Sequence, residues 1–194
     1  KKAGAKQIDR IFTHSKQTLN QKKMKGYVQL YTGNGKGKTT AALGLALRAV
    51  GAGKKVYFAQ FVKGKTYSEI EALAQYLPAI RLKQYGRGCF IKNDPVPEDI
   101  AAALVGLEEV KEIIQSGAYD VVVLDEACIA LHYRLFSIED LLKVIDLKPE
   151  QTEVIVTGRY APQALVDRAD LVTEMKEVKH YYQQGIQARK GIEF

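Results

Sequence analysis

The chain has 194 residues, 46% of them hydrophobic, and a formal net charge of +7. That length and apolar content are typical of a single domain around one core. No apolar run approaches the roughly 20 residues that cross a bilayer, and the Lys-rich start lacks a signal-peptide segment, so we expect a soluble, cytoplasmic protein with no membrane partner. Its two cysteines, Cys89 and Cys128, are isolated, which argues against a disulfide framework or a Cys-based zinc site.

The positive charge is confined to the first 25 residues. They contain eight lysines and arginines and one acid, Asp9, which leaves 21 of the 29 basic and 21 of the 22 acidic side chains for the rest of the chain. Charge concentrated on one polar arm, and not on a face of the globular body, argues against a nucleic-acid partner. We expect residues 1–25 to form a basic N-terminal arm or lid helix and residues 26–194 to form one domain.

From residue 26 onward, β-type and helix-type segments alternate. Strands are predicted at 26–31, 55–61, 80–85, 119–124, 153–157 and 171–175, and helices at 38–50, 68–76, 97–115, 138–145 and 162–168. The continuous apolar run YDVVVL indicates a central strand that is covered on both faces. This order predicts an α/β fold with a doubly wound, mainly parallel sheet.

Ligands of such sheets bind beyond the carboxyl ends of the strands. The loops that follow the first five predicted strands are unusual in composition: TGNGKGKTT, FVKG, YGRGCF, LDEA and TGRY. Because the strands are expected to be parallel, these loops should converge on one edge of the sheet. We therefore predict the functional site at that edge.

The first of these loops is close to the phosphate-binding pattern G-x-x-x-x-G-K-[ST]. Counted back from Gly37, the pattern requires glycine at position 32, where the chain has Thr32, and Gly33 comes one residue late. Glycines let backbone N–H groups point at a phosphate at the start of a helix, while Lys38 adds charge and the Thr39 hydroxyl can bind Mg²⁺. The sequence thus predicts nucleotide binding on a P-loop NTPase-like (RecA-like) fold.

A pair of acids, Asp125 and Glu126, ends the predicted central strand and resembles a Walker B segment. Mg²⁺ prefers oxygen ligands, and a carboxylate at a strand end can supply one, but the spacing does not decide between the two acids. The three histidines are too scattered for a metal-site pattern, and His132 is interpreted as a structural histidine. The sequence has no G-x-S-x-G element and no kinase H-R-D or D-F-G set.

Five segments together resemble the ATP:corrinoid adenosyltransferases, in order, over residues 26–194: YTGNGKGKTTAALGLALRAVGAGKKV, AQFVKG, VVVLDEA, VIVTGR and DLVTEMKEVKHYYQQGIQARKGIEF. The resemblance implies that Co(I) of a corrinoid attacks the 5′ carbon of the ATP ribose and that triphosphate leaves whole. It also implies Mg²⁺, an electron donor that reduces cobalt, and a homodimer. Two other hypotheses compete with this one. One is a conventional P-loop phosphotransferase or ATPase, and the other is a nucleic-acid binder that uses the basic arm.

The resemblance also assigns roles by position. Catalytic roles fall on Lys38, Thr39 and Glu126, and metal ligation falls on Thr39 and Glu126, with Asp125 as the alternative acid. Contacts to the nucleotide fall on the glycine loop and on four later positions: Asn34, Gly35, Lys36, Gly37, Lys38, Thr39, Thr40, Arg48, Arg159, Lys179 and His180. Arg48 has an equally good interpretation as a solvated helix arginine.

The chain departs from the family pattern after the third predicted strand. Relatives carry aromatic residues there in a G-F-x-W pattern, associated with displacing the lower axial ligand of cobalt, whereas this chain reads Gly88-Cys89-Phe90-Ile91. Either Phe90 performs this role from a shifted position, or Cys89 and Ile91 supply only an apolar wall on the corrinoid side. The resemblance further implies that the N-terminal arm closes over the corrinoid, reaching the site of a partner subunit.

Overall fold

The computed structural model describes residues 24–64, 67–88, 91 and 94–193. Nearly all of the predicted basic arm, residues 1–25, lies outside this described part. The arm and its boundary with the domain at residue 26 therefore stay predictions. The described residues form one α/β unit in which strands and helices alternate along the chain.

Six strands and six α-helices make up this unit. The strands are β1 (Val28–Thr32), β2 (Val56–Phe61), β3 (Ile80–Tyr85), β4 (Val121–Asp125), β5 (Glu153–Thr157) and β6 (Leu171–Glu174). The helices are α1 (Lys38–Gly51), α2 (Ser68–Tyr76), α3 (Pro97–Ser116), α4 (Ala127–His132), α5 (Ile138–Asp146) and α6 (Gln163–Arg168), followed by a 3₁₀ turn at Tyr181–Gln184. None of the described helices is long and apolar enough to span a bilayer.

The strands form one sheet in the order β3-β2-β4-β5-β1-β6, and every neighbouring pair is parallel. The predicted parallel, doubly wound α/β fold is confirmed. β5 lies between the strand that precedes the glycine loop and the strand that ends in the acid pair. All carboxyl ends point to one edge, so the loops after β1, β2, β4 and β5 meet there.

Two apolar layers cover the sheet, one on each face, because successive residues of a strand point to opposite sides. Val56 and Phe58 of β2 pack in the layer that contains α1 and α2. Tyr57 and Phe61 pack in the larger layer beneath α3 to α6. All six residues of β2 are buried, which explains why the central strands read as continuous apolar runs without polar alternation.

α4 is the one α-helix that the sequence did not predict. It has six residues, too few for an apolar periodicity, and it begins directly after the acid pair. Its N-cap residue, Glu126, has a left-handed backbone with φ of 59°. The predicted helices and strands otherwise match the observed ones to within about two residues at each end.

A tyrosine pair ties β2 to β3 under α3. The hydroxyls of Tyr57 and Tyr85 are 2.7 Å apart, and the ring of Tyr85 stacks on Phe61 with centroids 5.6 Å apart. Burial raises the pKa of Tyr57 to about 12, so its hydroxyl stays protonated. Gly106 of α3 lies directly over this ring, and a Cβ there would be 2.5 Å from Cγ of Tyr85.

The C-terminal segment folds back onto the glycine loop. Lys36 Nζ donates to the Ile192 carbonyl at 2.8 Å and to Glu193 Oε1 at 3.0 Å. Glu193 also accepts hydrogen bonds from the Arg189 guanidinium and from the Tyr181 hydroxyl. Hydrogen bonds from Arg189 and Tyr181 hold the pKa of Glu193 well below its ordinary value of 4.5, and the bond to Glu193 raises the pKa of Lys36.

We expect Gly106→Ala to destabilise the protein and Gly44→Ala to stabilise it. Both positions are helical, and alanine favours a helix by up to ~1 kcal/mol over glycine. Gly44 has open space around its Cβ position, whereas Gly106 meets the fixed ring of Tyr85, and overpacking costs about 1–3 kcal/mol. Urea denaturation should place the two variants about 2 kcal/mol apart in free energy of unfolding. Equal stabilisation by both would contradict the packing of α3 on Tyr85.

We expect the docked C-terminal segment to depend on an ionised Glu193. Because its pKa is lowered in the folded state, its contribution is fully present above pH 4.5 and is lost as pH falls through the lowered value. At pH 7, Glu193→Gln should speed amide hydrogen exchange at Arg189, whose N–H donates to Glu193 Oε2 at 2.8 Å. Glu177→Gln is the matched control, since the Glu177 carboxylate accepts a hydrogen bond from Gln183 Nε2 at 3.2 Å and its substitution removes the same charge from the same segment. Unchanged protection in Glu193→Gln would refute this role.

Candidate functional site

One cavity of about 780 Å³ opens at the carboxyl edge of the sheet, within the usual range for a small-molecule site. The loops after β1, β2, β4 and β5 all contribute to it, as the sequence predicts. The predicted residues that line it are Gly35, Lys36, Gly37, Lys38, Thr39, Thr40, Ile91, Glu126, Arg159 and His180. The cavity thus brings together the glycine loop, Glu126 after the end of β4 and the loop after β5.

The edge strand β6 explains why the chain has Thr32 where the phosphate-binding pattern requires glycine. Thr32 is the last residue of β1 and pairs with Glu174 of β6, so the loop begins at Gly33. Gly35 N donates to the Met175 carbonyl at 2.7 Å, and a Cβ on Gly33 would be 2.5 Å from that same oxygen. The chain after β6 presses against the loop, so only glycines fit there.

Lys38 is folded over the loop that precedes it. Its Nζ donates to the carbonyls of Gly33 at 2.8 Å and Gly35 at 2.7 Å, and the residue is buried at the start of α1. Burial and the nearby Arg159 lower the pKa of Lys38, against the opposing effect of Glu126. The ammonium is held at the helix N-terminus, where the helix dipole adds to its attraction for an anion.

The fully buried carboxylate of Asp125 joins four elements. Its Oδ1 accepts hydrogen bonds from the hydroxyls of Thr39 at 2.8 Å and Thr157 at 2.7 Å. Its Oδ2 accepts from Gln60 Nε2 at 3.0 Å, and Gln84 Nε2 donates in turn to Gln60 Oε1 at 2.8 Å. Every described buried polar side chain has a hydrogen-bond partner. Asp125 therefore lies behind the cavity wall, and its oxygens are already occupied.

Glu126 is the acid that faces the cavity. Its left-handed backbone turns the chain out of β4, and its N–H donates to the Thr157 hydroxyl at 3.0 Å. Burial first, and then the charge of Asp125, raise the pKa of Glu126. Lys63, from the loop after β2, lies 3.8 Å from Glu126 Oε1. Burial alone would lower the pKa of Lys63, but Asp125 and Glu126 outweigh burial and raise it.

These side chains fit a magnesium ion by their chemistry. Thr39, Asp125 and Glu126 offer only oxygen donors, and Mg²⁺ typically takes one or two carboxylates and completes its shell with water and phosphate oxygens. In the described part of the chain, no group of three or more His, Cys, Asp or Glu side chains is close enough to form an all-protein cage. The set is therefore suited to a cation that is shared with a bound phosphate ester.

Another part of the cavity lining is largely aromatic and apolar. His132 and Tyr160 stack with ring centroids 4.4 Å apart, and the Tyr133 hydroxyl donates to the Ile91 carbonyl at 3.0 Å. Ile129 completes this wall. Three of the four non-glycine residues with positive φ in the described part, Val62, Glu126 and Tyr160, line the cavity, which matches the tendency of backbone strain to collect at functional sites.

Some predicted residues do not reach this cavity. Asn34 is exposed on the outside of the loop, Arg48 lies exposed in the last turn of α1, and Lys179 is exposed before the 3₁₀ turn. Their assigned nucleotide contacts stay predictions. Cys89 and Phe90, two of the predicted corrinoid-side residues, lie outside the described part of the chain, whereas Ile91 lines the cavity.

Several residues that line the cavity were not predicted as site residues, among them Lys63, His132, Tyr160 and Glu193. The FVKG loop was placed at the correct edge of the sheet, but no role was assigned to its lysine. His132 was interpreted as structural because α4, which carries it into the cavity, was not predicted. For Glu193, the signal was the terminal GIEF segment, which the sequence reasoning used only for the family resemblance.

Comparison with known proteins agrees with this geometry. A family model described as ATP:corrinoid adenosyltransferase BtuR/CobO/CobP matches residues 24–194. A corrinoid adenosyltransferase from Pseudomonas aeruginosa is 36% identical over 171 residues, which span 88% of this chain and 84% of that protein. A corrinoid adenosyltransferase from Escherichia coli K12 is 34% identical over 170 residues, which span 88% of this chain and 86% of the relative.

A solved structure supports the fold alone. The flagellar accessory protein FlaH from Methanocaldococcus jannaschii aligns with a TM-score of 0.56 at 15% identity, covering 77% of this chain and 71% of that one. The family match spans the whole described part of the chain, including every segment that forms the cavity. By this match and by its similarity to curated relatives, the chain belongs to the ATP:corrinoid adenosyltransferase family.

Proposed function

We propose that this protein transfers the 5′-deoxyadenosyl group of ATP to Co(I) of a corrinoid, in adenosylcobalamin synthesis or salvage. One observation carries the proposal: a single cavity joins the glycine loop and Glu126 to an aromatic, apolar wall. The triphosphate of a nucleotide fits the glycine-loop side of the cavity, and the aromatic wall offers an apolar surface for an organic substrate. Cobalamin and an incomplete corrinoid are both candidate substrates.

In the proposed reaction, the cobalt of the substrate is the nucleophile. A cobalt–carbon bond forms at C5′ as the C5′–O bond breaks, and the electron pair of that bond leaves with triphosphate. No proton is removed from the attacking atom, so no protein base is required. The chain contributes by positioning the reactants and by stabilising the charge of the leaving group.

The phosphate side of the cavity supplies that stabilisation. We assign the triphosphate to the N–H groups of the glycine loop, to the ammonium groups of Lys36 and Lys38, and to the N-terminus of α1. Lys38 is held by two loop carbonyls, so its charge is already at the loop and requires little rearrangement. Arg159, from the loop after β5, adds a cation on the same side.

The metal would be held by Thr39 and Glu126, with Asp125 orienting the Thr39 hydroxyl from behind. Bound there, Mg²⁺ supplies positive charge to the triphosphate. Of the two acids, Glu126 is the better candidate for direct contact because it faces the cavity, whereas both oxygens of Asp125 already accept hydrogen bonds from the protein.

On the corrinoid side, we assign Ile91 and the His132–Tyr160 stack to contact with the ring system. The roles of Cys89 and Phe90, the electron donor, the homodimer and the cytoplasmic location stay predictions from the sequence. A conventional phosphotransferase or ATPase is not favoured, because the family match extends over the whole of the described cavity.

The products test the proposed reaction. With ATP, Mg²⁺ and a corrinoid reduced to Co(I), we expect intact triphosphate and a cobalt–carbon product whose absorbance spectrum changes on illumination. Phosphorus NMR and visible spectroscopy would measure the two, with both a complete cobalamin and an incomplete corrinoid as substrates. Formation of ADP and phosphate, with no light-sensitive product from either corrinoid, would contradict the proposal.

The charge of Lys38 should matter for the transition state. Lys38→Ala removes a preplaced cation from the leaving group, so we expect kcat to fall by about 10²–10³, or about 3–4 kcal/mol. Lys143→Ala is the matched control, because Lys143 is a 76% exposed side chain on α5. Thermal denaturation would establish that both variants are folded. Near-normal turnover of folded Lys38→Ala would argue against the assignment of the loop.

A further inference from the structure

The loop after β2 contains a strained turn. Lys63 N donates to the Phe61 carbonyl at 2.7 Å, two residues back, and Val62 between them has a φ of 65°. These features define a γ-turn with a positive central φ, a rare and strained form. Valine is branched at Cβ and ordinarily avoids this region, so the surrounding structure must impose the conformation.

The neighbouring loop after β3 holds this turn in place. Gly64 N donates to the Gly88 carbonyl at 2.5 Å. A Cβ on Gly86 would be 2.5 Å from the Val62 carbonyl carbon and 2.7 Å from Lys63 N. The two loops therefore pack backbone against backbone, and Gly86 is required because any side chain would push the turn away from the site.

The strained turn carries the Lys63 ammonium to the predicted metal-binding oxygens. Nζ is 3.4 Å from Asp125 Oδ2, 3.8 Å from Glu126 Oε1 and 3.4 Å from the Thr39 hydroxyl. The Tyr67 ring flanks it, with its centroid 5.7 Å away. The side chain is only 12% exposed. One ammonium thus approaches the Thr39 and Glu126 oxygens that the proposed function assigns to Mg²⁺, and also the Asp125 carboxylate behind them.

We propose that Lys63 is a resident cation that holds the acid pair until a metal–nucleotide complex replaces it. This inference rests on the proposed function, because it takes Thr39 and Glu126 as the metal ligands and Asp125 as the acid that orients Thr39. An ammonium and a divalent ion cannot share these oxygens without strong repulsion. Metal entry therefore requires Lys63 to leave the acids, and the triphosphate in the same cavity offers the replacement negative charge.

The consequence is that metal binding depends on nucleotide. Without ATP, a divalent ion must displace a buried ammonium from the two carboxylates that it neutralises. With ATP, the displaced ammonium can pair with a phosphate oxygen, so displacement is far less unfavourable. Lys63 is thus a positioning residue, and the strained turn keeps its charge directed at the acids.

Manganese(II) is a suitable probe, because the electron paramagnetic resonance signal of the free ion falls on binding, and a protein-free sample with ATP gives the amount that the nucleotide alone chelates. In the absence of nucleotide, Lys63→Met should bind Mn²⁺ at least about tenfold more tightly than the wild type, since a unit charge less than 4 Å from the ligands is removed. The increase in Mn²⁺ affinity on adding ATP should shrink correspondingly. Lys83→Met, which removes an exposed lysine paired with Glu109, should behave as the wild type.

A glycine pair tests the role of the turn without changing any charge. Gly86→Ala should displace Lys63 and shift Mn²⁺ affinity in the same direction as Lys63→Met. Gly88→Ala is its matched control, since a Cβ at Gly88 meets no atom of the described residues within 4 Å, and it should leave the affinity unchanged. Lys63→Arg, which keeps the charge, should retain most of the dependence on ATP.

Two results would overturn the inference in different ways. If folded Lys63→Met binds Mn²⁺ within twofold of the wild type without ATP, Lys63 is not a resident cation, and the metal assignment itself is unaffected. If wild-type protein fails to bind Mn²⁺ even with ATP, the metal set of the proposed function is wrong, and this inference fails with it.

Discussion

The buried carboxylate of Asp125 is the interaction on which the site depends. Its hydrogen-bond donors come from α1, β2 and β5, and Lys63 of the loop after β2 lies 3.4 Å away. A carboxylate without partners in the core would be strongly destabilising, so the fold must deliver all of these donors together. The sheet register does so, because Gln60 lies opposite both Asp125 and Gln84 on the adjacent strands. The geometry at the cavity is therefore determined by strand pairing, and only secondarily by the loops.

The three lysines of the site are compensated within the protein. Lys38 binds loop carbonyls, Lys63 approaches the acids, and Lys36 pairs with Glu193 of the folded-back C-terminal segment. A triphosphate entering this cavity exchanges partners with groups that are already ordered. Binding of this kind loses less free energy to side-chain ordering than capture by mobile lysines would.

The sequence was sufficient for the sheet and for the edge where the site lies. Apolar runs such as YDVVVL and the glycine loop are local signals, and the sequence shows both directly. The details that escaped prediction depend on contacts between distant residues. Thr32 is a strand residue because β6 pairs with it, and Lys63 reaches the acids because Val62 adopts a left-handed conformation that its side chain disfavours. Lys36 and Glu193 are 157 positions apart in the sequence, so no local pattern predicts their pairing.

β6, which lies beside the glycine loop, is the least buried strand of the sheet, since all four of its residues are exposed. The loop, β6 and the C-terminal segment that contacts Lys36 thus form an outer layer with little apolar contact beneath it. Such a layer can open locally while the central strands stay closed. A ligand that binds only the closed layer adds its binding free energy to that layer first. Ligand binding would then order β6, the loop and the C-terminal segment first, and would change the stability of the core only later.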